Sequence, residues 1–146
     1  MELIKRIYRF FTQNDYKSVS ILCWIYSALF RFQVLHMDTK KMQVKWGIEG
    51  EESGYDETME HYKYAKAVAM CVNHVCNKTA WESKCLVRAL TAQKLLKRKS
   101  IPSTMYLGCK MEEGKMVAHA WLRCGRMYVT GGNGEGYAIV DKFLAQ

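Results

Sequence analysis

A chain of 146 residues, 49% of them hydrophobic, can bury one core and is too short for two comfortable ones, so one compact unit is expected. Its net charge of +8 suits nucleic acid, an anionic membrane or an acidic peptide, but the basic cluster KLLKRK at 94–99 lacks aromatics interleaved at base-stacking spacing, and no nucleic-acid partner is expected. Six dispersed cysteines behind an opening MELIKRIYRFF that lacks signal-peptide features exclude a disulfide framework and point to reduced thiols in the cytoplasm.

Residues 1–36 read as helical with an interruption at 12–15. In the second piece Val19, Leu22, Cys23, Tyr26, Leu29 and Phe30 recur at helical spacing. The apolar run ILCWIYSALF at 21–30 is closed by Arg31, short of the roughly 20 residues of a membrane span. It predicts a buried or partner-facing helix without membrane contact. From 40 to 56 the periodicity is lost, and GEESGYD at 50–56 reads as a loop. That stretch divides an N-terminal helical region, 1–56, from a catalytic-looking core, 57–146.

From Glu57 a further helix is expected, with Tyr64, Ala67, Val68, Cys71, Val72 and Val75 along one stripe. The next helix has two candidate starts: Thr79 with Glu82 forms a capping box, and Ser83 can itself cap. Either start puts Cys85 in the first turn or two, ahead of Leu86, Ala89, Leu90, Gln93 and Leu96, and the helix stops before Ile101-Pro102. Beyond Pro102 the period becomes two. Met105, Leu107 and Cys109 alternate, then Met116, Ala118, Ala120, Leu122 and Cys124, while Val117, His119, Trp121 and Arg123 take the opposite face. Turns at 112–115 and at Gly125 separate three antiparallel strands, and 137–141 supplies a fourth. Helices followed by a meander give an α+β class.

One pairing carries chemistry. A thiol is a useful nucleophile only as thiolate, and a helix N-terminus together with an imidazole favours that form. Cys85 has the helix start and His119 can supply the imidazole if its strand crosses there. A third group should hold the imidazole's other nitrogen. With Gly125-Arg126 as the hairpin turn, His119 falls opposite Gly131 or Gly132, and the nearest acceptor side chains are Thr130 and Asn133. Asn133 is the better candidate, with Asp141 a charged alternative. Two other motifs are set aside: Cys71, His74 and Cys76 do not share one helix face and lack a partner pair for zinc. The run GGNGEG at 131–136 lacks the Lys-Ser/Thr ending of a phosphate loop and reads as a flexible hairpin end.

Cys85-Leu86 followed by Arg88-Ala89-Leu90, then LLKRKSIPSTMYLG at 95–108, AHAWL at 118–122 and Gly125, together resemble the leader peptidase of lasso-peptide biosynthesis, a stand-alone cysteine protease of the transglutaminase-like, papain-like superfamily. The resemblance covers about residues 79–130. It implies a transglutaminase-like core in which Cys85 attacks the peptide bond joining leader to core peptide, His119 is the general base, and the Cys85 N–H is an oxyanion donor. It also implies a precursor leader peptide as substrate, a separate leader-recognition protein and an ATP-dependent macrocyclase as partners, and no cofactor or metal. The chain departs from the family at Ser100, where Gly is usual before Ile-Pro, and at Gly131, where the usual acidic third residue falls. Two alternatives accompany this expectation: a non-catalytic scaffold assembling recognition protein, precursor and macrocyclase, and acyl transfer to an amine.

Overall fold

A computed structural model of the chain describes residues 1–13, 16–78 and 84–146. Two helices open it, α1 (Glu2–Gln13) and α2 (Lys17–His36). The stretch 40–56, expected to be irregular, holds a short helix α3 (Thr39–Gln43) and a two-residue strand β1 (Ile48–Glu49). Elements this brief leave no periodicity to read. Asp38 starts α3 by accepting the Lys40 N–H at 3.0 Å, satisfying a donor that the helix leaves unpaired. Trp46 follows, buried edge-on against Phe143 with ring centroids 5.4 Å apart.

The next helix, α4 (Met59–Cys76), begins at Thr58, whose Oγ1 accepts the His61 N–H at 3.1 Å. It buries Ala65, Val68, Val72 and Val75. Helix α5 (Cys85–Arg98) follows, with Lys84 at its N-cap making no side-chain capping bond. The expected caps, Thr79 with Glu82 and Ser83, lie outside the described residues. At its far end Ile101 N–H bonds to Leu96 O at 3.1 Å and Ser100 N–H to Lys97 O at 2.9 Å. This is a Schellman closure in which Ser100, at φ 55°, occupies the left-handed position that favours glycine.

Beyond Pro102 come β2 (Ser103–Glu112), β3 (Lys115–Cys124), β4 (Met127–Thr130) and β5 (Ala138–Ala145). They form one antiparallel sheet in the order β1-β5-β2-β3-β4. Both expected turns are present. Glu113 and Gly114, at φ 51° and 77°, join β2 to β3 with the positive φ pair that suits tight hairpins. Gly125-Arg126 joins β3 to β4. The strand expected at 137–141 runs on to Ala145 and lies beside β2, with β2 and β3 between it and β4 in the sheet.

The architecture is α+β, as expected: α5 packs on β2, β3 and β4, while α2 and α4 pack against α5 and each other. The core between them contains Val68, Val72, Leu95, Leu96, Met105 and Phe143. Ala120, Leu122 and Cys124 point into it, and alternation turns His119, Trp121 and Arg123 to the other face of β3.

Candidate active site

Cys85 is the first residue of α5. Its N–H is therefore one of the four N-terminal donors with no acceptor inside the helix, and its sulfur lies where the helix ends in partial positive charge. The thiol is free and half-buried, packed against the margin of the helical core.

His119 stands on β3 opposite Gly108 of β2. Its Nε2 lies 2.7 Å from the carbonyl oxygen of Gly131. A carbonyl can only accept, so Nε2 carries the hydrogen, and in the neutral ring Nδ1 keeps its lone pair. The ring lies near-parallel to Trp121 at 5.7 Å and tilted against Tyr137 at 4.9 Å, between centroids. Lys110 Nζ sits 4.6 Å from the centre of the Tyr137 ring.

The chain reaches this arrangement because position 131 has no side chain. Gly131 has φ 75°, and a Cβ there would lie 2.5 Å from Ala120 O and 2.8 Å from Trp121 Cβ. Only glycine lets the backbone press this close to β3, and that approach is what delivers the carbonyl to the imidazole. An acidic side chain has no room at the place where the resembling family carries one. The three side chains considered for the role are engaged elsewhere or unengaged. Asn133 Oδ1 accepts the Glu135 N–H at 3.0 Å, closing a turn within the loop. Thr130 Oγ1 is buried without a partner among the described residues. Asp141 sits on β5, where its Oδ1 accepts the Lys142 N–H at 2.8 Å. A hydrogen bond that the protonated Glu49 carboxyl can donate to Asp141, followed by the negative charge of Asp141, pushes the Glu49 pKa upward. The run 131–136, expected to be a flexible hairpin end, is a built turn, with Tyr137 N–H bonded to Gly134 O at 3.1 Å.

Arg123 anchors the rest of this face. It is 1% exposed. It donates to Tyr106 Oη at 3.0 Å, Gly54 O at 3.1 Å, Gly125 O at 2.7 Å and Ser53 O at 2.8 Å, with its guanidinium carbon 3.9 Å from the centre of the Tyr55 ring. Tyr106 in turn donates to Glu52 Oε1 at 3.1 Å, and burial pushes its phenol pKa up to about 12. The loop 52–55 is thereby fastened over the outer face, and Trp121, stacked on Tyr106 at 5.5 Å, is 2% exposed. Alternation alone suggests a solvent-facing row here; a buried guanidinium gave no sign of itself in the sequence.

The structure thus gathers His119, Gly131, Trp121 and Tyr137. No hydrogen bond joins Cys85 to His119 among the described residues. The other cysteines differ in kind. Cys23 is hydrogen-bonded to Cys76, and this contact followed by burial raises its pKa. Burial, reinforced by the Glu57 charge, pushes the Cys124 thiol up to about 11. Cys71, His74 and Cys76 do not converge: Ser20 Oγ donates to Cys71 at 3.6 Å, and His74 Nε2 lies 3.3 Å from Lys78 Nζ. No group of three metal-ligating side chains is placed to hold an ion among the described residues.

A family model described as transglutaminase-like superfamily matches residues 31–141. No curated protein and no solved structure matches the chain.

Proposed function

The chain belongs to the transglutaminase-like superfamily, whose members are commonly cysteine peptidases and acyl transferases, and from that premise we propose that it is a cysteine protease that removes the leader from a ribosomally made lasso-peptide precursor. The observation that carries the chemistry is the Nε2 to Gly131 O bond at 2.7 Å. It fixes the tautomer a general base needs, with the proton on Nε2 and the lone pair on Nδ1. Cys85 at a helix start supplies the thiol.

In the proposed reaction His119 Nδ1 takes the proton from Cys85 Sγ, and the thiolate adds to the carbonyl carbon of the leader–core bond. The oxyanion is met by the Cys85 N–H. As the C–N bond breaks, the imidazolium returns its proton to the leaving amine of the core peptide, leaving the leader as a thioester on sulfur. Water, deprotonated by His119, then releases the leader carboxylate and restores the thiol. The neutral Gly131 carbonyl orients the ring without the charge a carboxylate would add, so the imidazolium is less stabilised than in an acidic triad. Sγ must come within hydrogen-bonding reach of Nδ1 in the substrate-bound enzyme; such bonds are often long in free enzymes and tighten on binding. The lasso-precursor specificity rests on the combined motifs at 85–90, 95–108 and 118–122.

The missing Cys85–His119 hydrogen bond favours a second reading, a scaffold that assembles recognition protein, precursor and macrocyclase without cleaving. Incubating the precursor with its recognition protein and either the native chain or Cys85→Ala separates the two. Cleavage that stops in the variant while complex formation persists supports the protease; cleavage unchanged in the variant, or absent with both, removes it. A cross-linked amine product would instead assign acyl transfer.

A further inference from the structure

We infer that α1 and α2 form a platform that lies on an anionic membrane surface. In α1, Leu3, Ile4, Ile7 and Tyr8 share one arc of the helix, and Lys5, Arg6 and Arg9 share the other. The four apolar residues are between 50% and 69% exposed. In α2, Val19, Cys23 and Ser27 face the core, while Ile21, Trp24, Ile25, Leu29, Phe32 and Leu35 stay exposed. Between the two helices runs an open groove of about 810 Å³, walled by Leu3, Ile7, Ile21 and Trp24 and rimmed by Arg6, Arg9, His74 and Lys78.

The charges say which surface covers this face. The chain carries +8, and three of its cations sit on the polar arc of α1, with Glu2 as an exposed partner of Arg9 at 3.7 Å. A strongly amphipathic helix with a cationic polar arc and a modest overall hydrophobicity is the form of helix that lies in a membrane interface. By length and composition α2 could cross a membrane. Its packing against α4 and α5 holds it alongside the core, so it presents one face to the lipid. A bilayer also fits better than an inserted peptide. The apolar arc of α1 faces both into the groove, through Leu3 and Ile7, and away from it, through Ile4 and Tyr8. One helix laid in the groove covers only the first pair, whereas a lipid surface covers both without needing a complementary shape. The shortness of the 21–30 run bears on spanning a bilayer; an interfacial helix needs only an apolar face, so the expectation of no membrane contact is replaced here by contact in the interface plane.

The test is flotation of the full chain with vesicles of phosphatidylcholine alone and with one-quarter phosphatidylglycerol. The expected result is flotation only with the anionic vesicles, lost as salt is raised toward ~1 M. Replacing Lys5, Arg6 and Arg9 by Gln should weaken it by about two orders of magnitude. Because these side chains are on an exposed helix, circular dichroism should be unchanged. An Ile4→Ser/Tyr8→Ser variant should fail to float while Leu3 and Ile7 still line the groove. The inference is overturned if anionic vesicles leave the chain unbound. It is equally overturned if the exposed face is buried by self-association that excludes vesicles, or if an acidic helical peptide binds while vesicles do not.

Discussion

His119 and Cys85 sit in regions held in opposite ways. The imidazole is positioned by a carbonyl at 2.7 Å and by two aromatic rings, on a sheet face closed by the loop that Arg123 fastens. The thiol is positioned by being first in its helix and by packing at the margin of the core, with no capping side chain at Lys84. A histidine that acts as general base must present the same nitrogen as acceptor each time it is neutral, whereas a nucleophilic sulfur must be reached by substrate. Under the proposed function, an imidazole held in place and a thiol left accessible at a helix start would suit the roles of base and nucleophile.

The sharpest break of this contrast is Cys85→Ala. Precursor cleavage should fall by about 10⁴-fold or more, with thermal stability nearly unchanged because the thiol is half-buried and makes no hydrogen bond among the described residues. Arg123→Met acts on the other side. It strips donors from Ser53 O, Gly54 O and Gly125 O at once, and should lower stability by about 3 kcal/mol or more, read as a shift of the denaturant midpoint. If the two regions are held independently, the alkylation rate of Cys85 in the still-folded variant stays at the wild-type value; a changed rate would show them coupled.

Gly131→Ala should leave the fold but move the carbonyl, since the new Cβ meets Ala120 O at 2.5 Å. Turnover should drop by about 10²-fold from the displaced base, with the loss in kcat, and the pH profile of kcat/KM should shift with it. A change confined to KM would deny the carbonyl its positioning role. The smallest effect belongs to Ser100→Gly. Relieving the left-handed strain at φ 55° should stabilise the chain by about 1 kcal/mol, or roughly 2–4 °C in Tm, with activity unaltered.

Much of this architecture could be read from pattern. The helical stripe through Val68, Val72 and Val75, the switch to period two after Pro102 and the Gly125-Arg126 turn all follow from local periodicity, and they place Cys85 and His119 on the expected elements. What pattern hides is contact between distant segments. Alternation puts Arg123 on the face away from the core and says no more, because its partners, Ser53 and Gly54, arrive from a loop some seventy positions away. The partner of the imidazole was sought among side chains, where only Asn133, Thr130 and Asp141 offered themselves. It is a backbone carbonyl, which every residue has and no residue type announces. The signal was Gly131 itself: a glycine where the resembling family has an acid marks a place where the backbone has come too close for any side chain.

The most direct measurement is the rate at which iodoacetamide modifies each cysteine of the folded protein between about pH 5 and pH 9, followed by mass spectrometry in the native chain and in His119→Ala. Cys23 and Cys124, whose protonated forms are favoured by their surroundings, provide the slow reference. The account predicts that Cys85 alone reacts fast well below the ~8.5 of an ordinary thiol, that precursor peptide changes this rate, and that His119→Ala abolishes the advantage. A Cys85 no faster than Cys71 or Cys109, with and without precursor, would contradict the Cys85–His119 protease.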